Sequence, residues 1–224
     1  MKIDLRVRGR GERSIDVRRL VVAGFTGRDE AAVQRHIDEL MRDGIAAPPE
    51  VPALYVLPVG LLTTADAIDV EGDRTSGEVE PVIFVTDDGA YVGVGSDHTD
   101  RLLEREDIYT AKAACPKVVS RDVVPIEDID DRWDDLVVRS QRGLYQQSTL
   151  RELLPPGDVL SRVGDVRNAV VFLGTVALLT GGFVFAEEFA AELVDTNGSV
   201  ISACTYRVRV DGAERLSLNR RTRA

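Results

Sequence analysis

The chain has 224 residues, with 38 acidic side chains against 28 basic ones, two histidines and two cysteines. That length fits one large domain or two small ones with a real core, and an apolar fraction of 44% excludes general disorder. A net charge of −10 disfavours broad binding along a phosphate backbone, so nucleic acid is not an expected partner.

Met1 leads directly into the alternating segment Ile3–Val7, with no signal peptide between them. A second strand is expected over Arg19–Ala23. The clearest helix is Arg28–Asp43. Thr26 serves there as N-cap with Asp29 as its box partner, and Gly44 as the stop. Val33, Ile37, Leu40 and Met41 form its apolar face. The proline-rich stretch Pro48–Pro58 is the one plausible internal boundary. Strands follow at Ala53–Leu57, Ala67–Val70, Val79–Val85 and Tyr91–Val94. A second helix is expected from about Thr99 to Ala114, and a short one over Leu150–Leu154. Leu136–Arg139, Ala169–Leu173, Phe183–Leu193 and Val200–Val210 complete the strands, with Asn197-Gly198 as a hairpin turn. The longest apolar stretch, Ala169–Phe185, is shorter than the roughly 20 residues of a membrane helix and reads as buried core. The tail from Leu216, with Arg220, Arg221 and Arg223, reads as frayed. Cys115 and Cys204 form no CxxC pair, which points to a reducing cytoplasm.

Four groups of residues can carry chemistry. Glu78 and Glu80 lie two apart on a strand and project from one face, after Ser76 and Gly77. Two like charges there repel unless a cation or protons relieve them, and a hard divalent cation would do so. The same spacing also fits a solvated strand end. Ser96-Asp97-His98-Thr99-Asp100-Arg101 follows a strand. Asp97 is a candidate third oxygen ligand and Arg101 a bidentate carboxylate contact. A helix cap at Ser96 or Asp97 explains the same residues. His36 and Glu39 are helical neighbours and suit a general base, or an ordinary surface pair. Lysine occurs only at Lys2, Lys112 and Lys117, so two of the three fall within six residues. Arginine carries most other positive charge, which fits composition bias. Lys112 can reach back to an anion, or simply favour a helix C-terminus.

In this order these residues resemble the fumarylacetoacetate hydrolase superfamily. Its lid pattern N-Y-x-x-H-x-x-E followed by prolines is resembled by His36, Glu39, Pro48 and Pro52, with Phe25 in place of the tyrosine and a longer stretch before His36. Its metal strand E-x-E-L-x-V-V-I is matched by Glu78-Val79-Glu80-Pro81-Val82-Ile83. Its N-D-x-S/T-x-R-D-x-Q segment aligns without a gap on Ser96 to Glu104, and Gly174-Thr175 matches a late t-G-T. The resemblance spans about residues 20 to 195. The wording TSGEVEP and GSDHTDR looks like a domain-of-unknown-function branch. Glu104 stands where many members have glutamine, and Val176 replaces a proline.

The resemblance implies an α+β, mainly β fold: a mixed β-roll body over residues 51–224 with a strand-helix lid over residues 1–50, together one compact unit. It implies a cytoplasmic homodimer acting on a small molecule, with no membrane or nucleic-acid partner. Glu78, Glu80 and Asp97 would hold Mg²⁺ or Mn²⁺. Arg101, Glu104, Gly174 and Thr175 would contact substrate. Lys112 would sit on the enolate, and His36, oriented by Glu39, would activate water. The implied reaction is hydrolytic C–C cleavage of a 2-oxo or 1,3-diketo acid through a metal-bound enolate, of the acylpyruvate hydrolase type. Isomerisation, hydration or decarboxylation on the same site is the alternative, and a catalytically silent dimeric scaffold a third.

Overall fold

The computed structural model describes residues 1–42 and 44–211. The tail from Leu216 therefore lies outside the described residues, as does Asp43 at the end of the expected first helix. In chain order the first elements are β1 (Lys2–Val7), β2 (Gly11–Asp16), β3 (Arg19–Gly24) and α1 (Glu30–Arg42). Then come β4 (Ala53–Leu57), β5 (Leu62–Thr63), β6 (Ala67–Val70), β7 (Thr75–Ser76), β8 (Val79–Thr86), β9 (Gly89–Asp97) and β10 (Thr99–Asp100). The next are α2 (Ile108–Ala113), β11 (Lys117–Val119), β12 (Asp122–Pro125), β13 (Val137–Ser140), β14 (Gln146–Thr149) and α3 (Pro156–Val163). The last are β15 (Ala169–Phe172), β16 (Glu188–Val194) and β17 (Val200–Val210).

The long strands form two sheets. A curled ten-stranded sheet runs β2-β1-β12-β9-β8-β15-β3-β4, with β11 and β5 attached through β9. A five-stranded sheet runs β14-β13-β16-β17-β6. Strands from both sides of the Pro48–Pro58 stretch share the large sheet, β1 to β3 before it and β8, β9, β12 and β15 after it, with β4 lying within it. The mainly β, few-helix architecture expected from the sequence is the one found. Among the described residues, no helix is long and apolar enough to cross a membrane.

The central pair β8 and β9 is buried on both faces. Val79, Ile83, Val92 and Val94 pack toward the five-stranded sheet with Phe189, Leu193 and Ile201. Val82, Phe84 and Tyr91 pack the other way, with Leu5, Leu20 and Phe172. A strand covered on both sides reads as a continuous apolar run rather than an alternation, as Val82–Val85 does. Each fully buried aromatic or aliphatic side chain contributes about 2 kcal/mol of transfer free energy. Gly95 belongs to this packing, because a Cβ there would lie 2.7 Å from the Val118 carbonyl oxygen.

Several expectations need correction. Thr26 does not cap α1: it is buried, and its carbonyl oxygen accepts from the Leu154 amide at 2.8 Å. Asp29 is the cap, accepting from the amides of Ala31 and Ala32. An Asx cap immediately before the first helical residue satisfies the free amides more directly. The stop does fall at Gly44, with φ +86°, and the Gly44 and Ile45 amides donate to the Met41 and Leu40 carbonyls. Met41 is 53% exposed and leaves the apolar face. The helix expected over Thr99–Ala114 is mostly something else. Thr99-Asp100 is a strand paired with β7, and Asp100 caps the Leu103–Arg105 turn. Only α2 is α-helical, started by Asp107, whose carboxylate accepts from the Thr110 amide. The expected Leu150–Leu154 helix is a 3-10 turn over Leu150–Glu152, followed by α3. The strand expected from Phe183 begins at Glu188. The Ala169–Phe185 stretch is core only through Leu173, with Val176 also buried. Leu179, Phe183, Val184 and Phe185 are all exposed.

Candidate active site

Strand pairing assembles the charged residues. The β8–β9 ladder sets Val79 opposite Ser96, and the Asp97 amide donates to the Glu78 carbonyl at 3.0 Å. β9 in turn pairs with β11, which places Lys117 directly opposite Asp97. Three short elements therefore bring Glu78, Glu80, Asp97 and Lys117 to one end of the sheet. α2 adds Lys112 from above. Glu78, Glu80, Arg101, Glu104 and Lys112 line a cleft of about 1590 Å³. That exceeds the roughly 300–1,000 Å³ usual for small-molecule sites.

Each charge has a distinct environment. Asp97 is fully buried, with Lys117 Nζ 3.1 Å from Oδ1 and Lys112 Nζ on Oδ2. Burial alone would raise its carboxyl, but the two ammonium groups hold it far below the usual carboxylate range. Burial would likewise depress Lys112, yet Asp97, Glu80 and Glu78 raise it. Lys117 is lowered by burial despite Asp97. Its ammonium also donates to the carbonyls of His98 at 2.5 Å, Lys112 at 2.5 Å and Cys115 at 3.1 Å. It thus ties the end of α2 to β9. Glu80 is the exception: it is buried, and among the described residues no cation is bonded to it and it accepts only the Gly174 amide, at 2.8 Å. Burial and the neighbouring Asp97 charge push its carboxyl well above the ordinary range. At this end of the sheet, four carboxylates meet three cations.

Gly174 is required where it stands. Its φ is +97°, and a Cβ would meet Thr26 Oγ1 at 1.9 Å. The backbone can then bring its amide onto Glu80. Next to it, Thr175 Oγ1 donates to the Val79 carbonyl at 2.9 Å and accepts from Gln146 Nε2 at 2.7 Å. Gln146 Oε1 also takes the Val79 amide at 2.9 Å. Gln146 therefore pins the start of β8 from the other sheet, a role the sequence reading missed.

A neutral buried network lies behind the charges. His98 Nε2 meets Thr75 Oγ1 at 2.9 Å, and Nδ1 meets Tyr206 Oη at 2.8 Å. Tyr206 Oη also meets Ser96 Oγ at 2.7 Å. Burial, with Lys117 and Arg101 nearby, pushes His98 down to about 3. A Cβ at Gly77 would lie 2.5 Å from Ser96 Oγ and 2.7 Å from Tyr206 Oη, so the chain passes this network only as glycine. Neither Ser96 nor Asp97 caps a helix.

The remaining expected residues are spread out. Arg101 is buried and bound to Glu78 and Glu104. His36 lines the cleft from α1 but is exposed, its ring 6.0 Å from that of Phe25. Glu39 is exposed and does not line the cleft, and among the described residues no hydrogen bond joins it to His36. The exposed end of the apolar stretch supplies cleft residues unforeseen in the sequence. Phe183 lies over the Arg101 guanidinium at 4.0 Å, and Phe185 over Arg74 at 5.0 Å. Their signal was three residues of apolar surface just after Gly181-Gly182, where a strand would be expected to alternate.

A family described as protein of unknown function, DUF2848, matches residues 23–206. The chain belongs to the DUF2848 family. Its fold is that of fumarylacetoacetate hydrolase proteins. Fumarylpyruvate hydrolase from Pseudomonas aeruginosa, solved with Mn²⁺ and pyruvate, superposes with a TM-score of 0.65 at 15% identity, over 94% of this chain and 97% of that one. A fumarylacetoacetate hydrolase family protein from Yersinia pestis CO92 gives 0.63 at 20% identity, over 92% and 100%. A 2-keto-3-deoxy-D-arabinonate dehydratase solved with magnesium and 2,5-dioxopentanoate gives 0.59 at 14% identity, over 90% and 77%. No curated protein matches the sequence.

Proposed function

We propose that this DUF2848 protein is a divalent-metal-dependent enzyme acting on a 2-oxo or 1,3-diketo acid, with hydrolytic C–C cleavage as its reaction. The observation that carries the reading is Glu80: a buried carboxylate beside Asp97 and Glu78 that, among the described residues, no side-chain cation touches. Three oxygen donors of this kind suit Mg²⁺ or Mn²⁺. Among the described residues no three such groups stand together as ready ligands, and Lys112 and Arg101 sit on Asp97 and Glu78. Glu78, Glu80 and Asp97 would hold the ion once those cations let go. The bound ion would supply Lewis-acid polarisation of a carbonyl. The Mn²⁺ and pyruvate in the Pseudomonas protein, and the magnesium and dioxo acid in the dehydratase, support this assignment.

The chain's own residues then divide the work. Lys112, released from Asp97, presents its ammonium to the substrate oxygen on which negative charge develops. His36 takes a proton from water at the cleft wall. Water's oxygen bonds to the distal carbonyl carbon, and the C–C bond breaks with its electron pair left on the methylene. The proton held by His36 returns to that carbon and completes the methyl group of the departing 2-oxo acid. Gly174 and Thr175 shape the floor through Glu80 and Val79. The separation of Glu39 from His36 favours a second reading, a dehydratase, decarboxylase or isomerase that needs no oriented water activator.

Calorimetric titration of Mn²⁺ with pyruvate present tests the proposal. We expect about one ion per chain, lost in Glu80→Ala and in the better-folding Glu80→Gln. No binding to the wild type overturns the metal reading and favours a silent scaffold.

A further inference from the structure

The guanidinium of Arg101 presents three nitrogens, and each of them already has a partner. Nε donates to Ser76 Oγ at 2.7 Å. Nη1 reaches both oxygens of Glu104, at 3.0 and 2.9 Å. Nη2 lies 3.1 Å from Glu78 Oε2 and 3.5 Å from the Ser76 carbonyl. One face is covered by the Phe183 ring at 4.0 Å. Even after Glu78 turns to the ion and leaves Nη2, Ser76 holds Nε and Glu104 holds Nη1, so a substrate carboxylate finds no free pair of nitrogens on this residue. It would also have to approach Glu104, a like charge at close range, which costs free energy. Of the other two buried cations, Lys117 is held by Asp97, and Lys112, once it leaves Asp97, serves the 2-oxo acid end rather than a distal carboxylate.

Beyond Arg101 the cleft changes character. α1 contributes Val33 and Leu40, α2 contributes Ile108, and Ile45, Tyr55 and Phe183 add further apolar surface. This wall is continuous with the charged floor, in a cleft larger than a three-carbon acid requires. Arg74, Arg105 and Arg151 also line it but are exposed, and a carboxylate bound there would stay hydrated and gain little; Arg28, half-buried at the wall, is held by both oxygens of Asp134.

We propose that the site takes a 2-oxo acid whose distal end is apolar and uncharged, and that Glu104 sets this preference by closing Arg101 to a second carboxylate. This rests on the oxo-acid reading above. The tail lies along Val33, Leu40 and Ile108, where it leaves water, while the 2-oxo acid end stays on the floor.

A matched pair of ligands tests it. 2-Oxohexanoate and 2-oxoadipate have the same chain length and differ at the far end, methyl against carboxylate. Their binding is measured by calorimetry in Mn²⁺, with pyruvate as the anchor common to both. The wild type should favour 2-oxohexanoate by about ten-fold or more. Glu104→Gln, a change at a partly exposed side chain, should shrink or invert that ratio by freeing part of Arg101. Equal or tighter binding of 2-oxoadipate to the wild type overturns the inference, and loss of that binding in Arg74→Gln would place the distal carboxylate at the mouth. An unchanged ratio in Glu104→Gln removes Glu104 as its cause. Binding of pyruvate with no discrimination within the pair sinks this inference alone. Failure of all three ligands sinks the oxo-acid reading and this inference with it. The wild-type ratio needs no variant, so a misfolded Glu104→Gln does not spare the proposal.

Discussion

The floor of the cleft and its rim are built by opposite means. On the floor, Glu80, Asp97 and Lys117 come from ladder strands, and Glu78 lies directly before one; Asp97 and Lys117 are fully buried. At the rim, Phe183 and Phe185 sit outside any strand and more than a third exposed, on an irregular segment that follows two glycines. The floor is held by charges that cannot lose a partner without leaving another stranded in low dielectric. The rim is held by little beyond contact with arginine faces. The contrast teaches that stability and selectivity are separable here: damage to the floor should unfold the protein, and damage to the rim should change what it binds.

The sharpest way to break that contrast is Asp97→Ala. It strands two buried ammonium groups and should lower the unfolding free energy by about 3–5 kcal/mol, read by urea denaturation. An effect below about 1 kcal/mol would mean that the lysines escape to solvent and the floor is not rigid. Gly174→Ala comes next. A left-handed backbone and a blocked Cβ should together cost about 3 kcal/mol, and the displaced amide should weaken Mn²⁺ binding as well.

His98 gives a graded test of how dry the floor is. Its folded value of about 3 lies below the 6.5 of the unfolded chain, so the folded state binds fewer protons between those limits. The stability it contributes is complete above about pH 6.5 and falls away as pH drops toward about 3, by about 1.4 kcal/mol per pH unit at most. His98→Asn should flatten that part of the stability–pH curve. An unaltered curve would show the imidazole reaching water. The smallest effect belongs to the rim: Phe183→Ala should change stability by no more than about 0.5 kcal/mol while weakening 2-oxohexanoate more than pyruvate.

Much of this was legible in the residues. Ala53–Leu57, Ala67–Val70 and Val200–Val210 fall where alternation puts them, and Asn197-Gly198 turns the last hairpin. Glu78, Glu80, Asp97, Arg101 and Lys112 do line or underlie one cleft. What was hidden is tertiary. The Thr99–Ala114 segment looked helical, but pairing of Thr99-Asp100 with Thr75-Ser76 overrides local propensity. Gln146 and Tyr206 reach the site from the second sheet, 67 residues from Val79 and 110 from Ser96, and a single sequence carries no sign of such contacts. The commitment of Arg101 to Glu104 could be read as a neighbouring pair, but its completeness needed Ser76, Glu78 and Phe183 in place.

The burial of Lys112 and Lys117 has a practical consequence. Lysine occurs at only three positions in this chain, and Lys2 alone is exposed. An amine-reactive dye therefore meets Lys2 and the N-terminal amine in the native protein, and the other two amines only when the floor opens. Labelling stoichiometry becomes a count of open molecules, taken at the very residues around which the cleft is organised, without a mutation or a probe introduced by design.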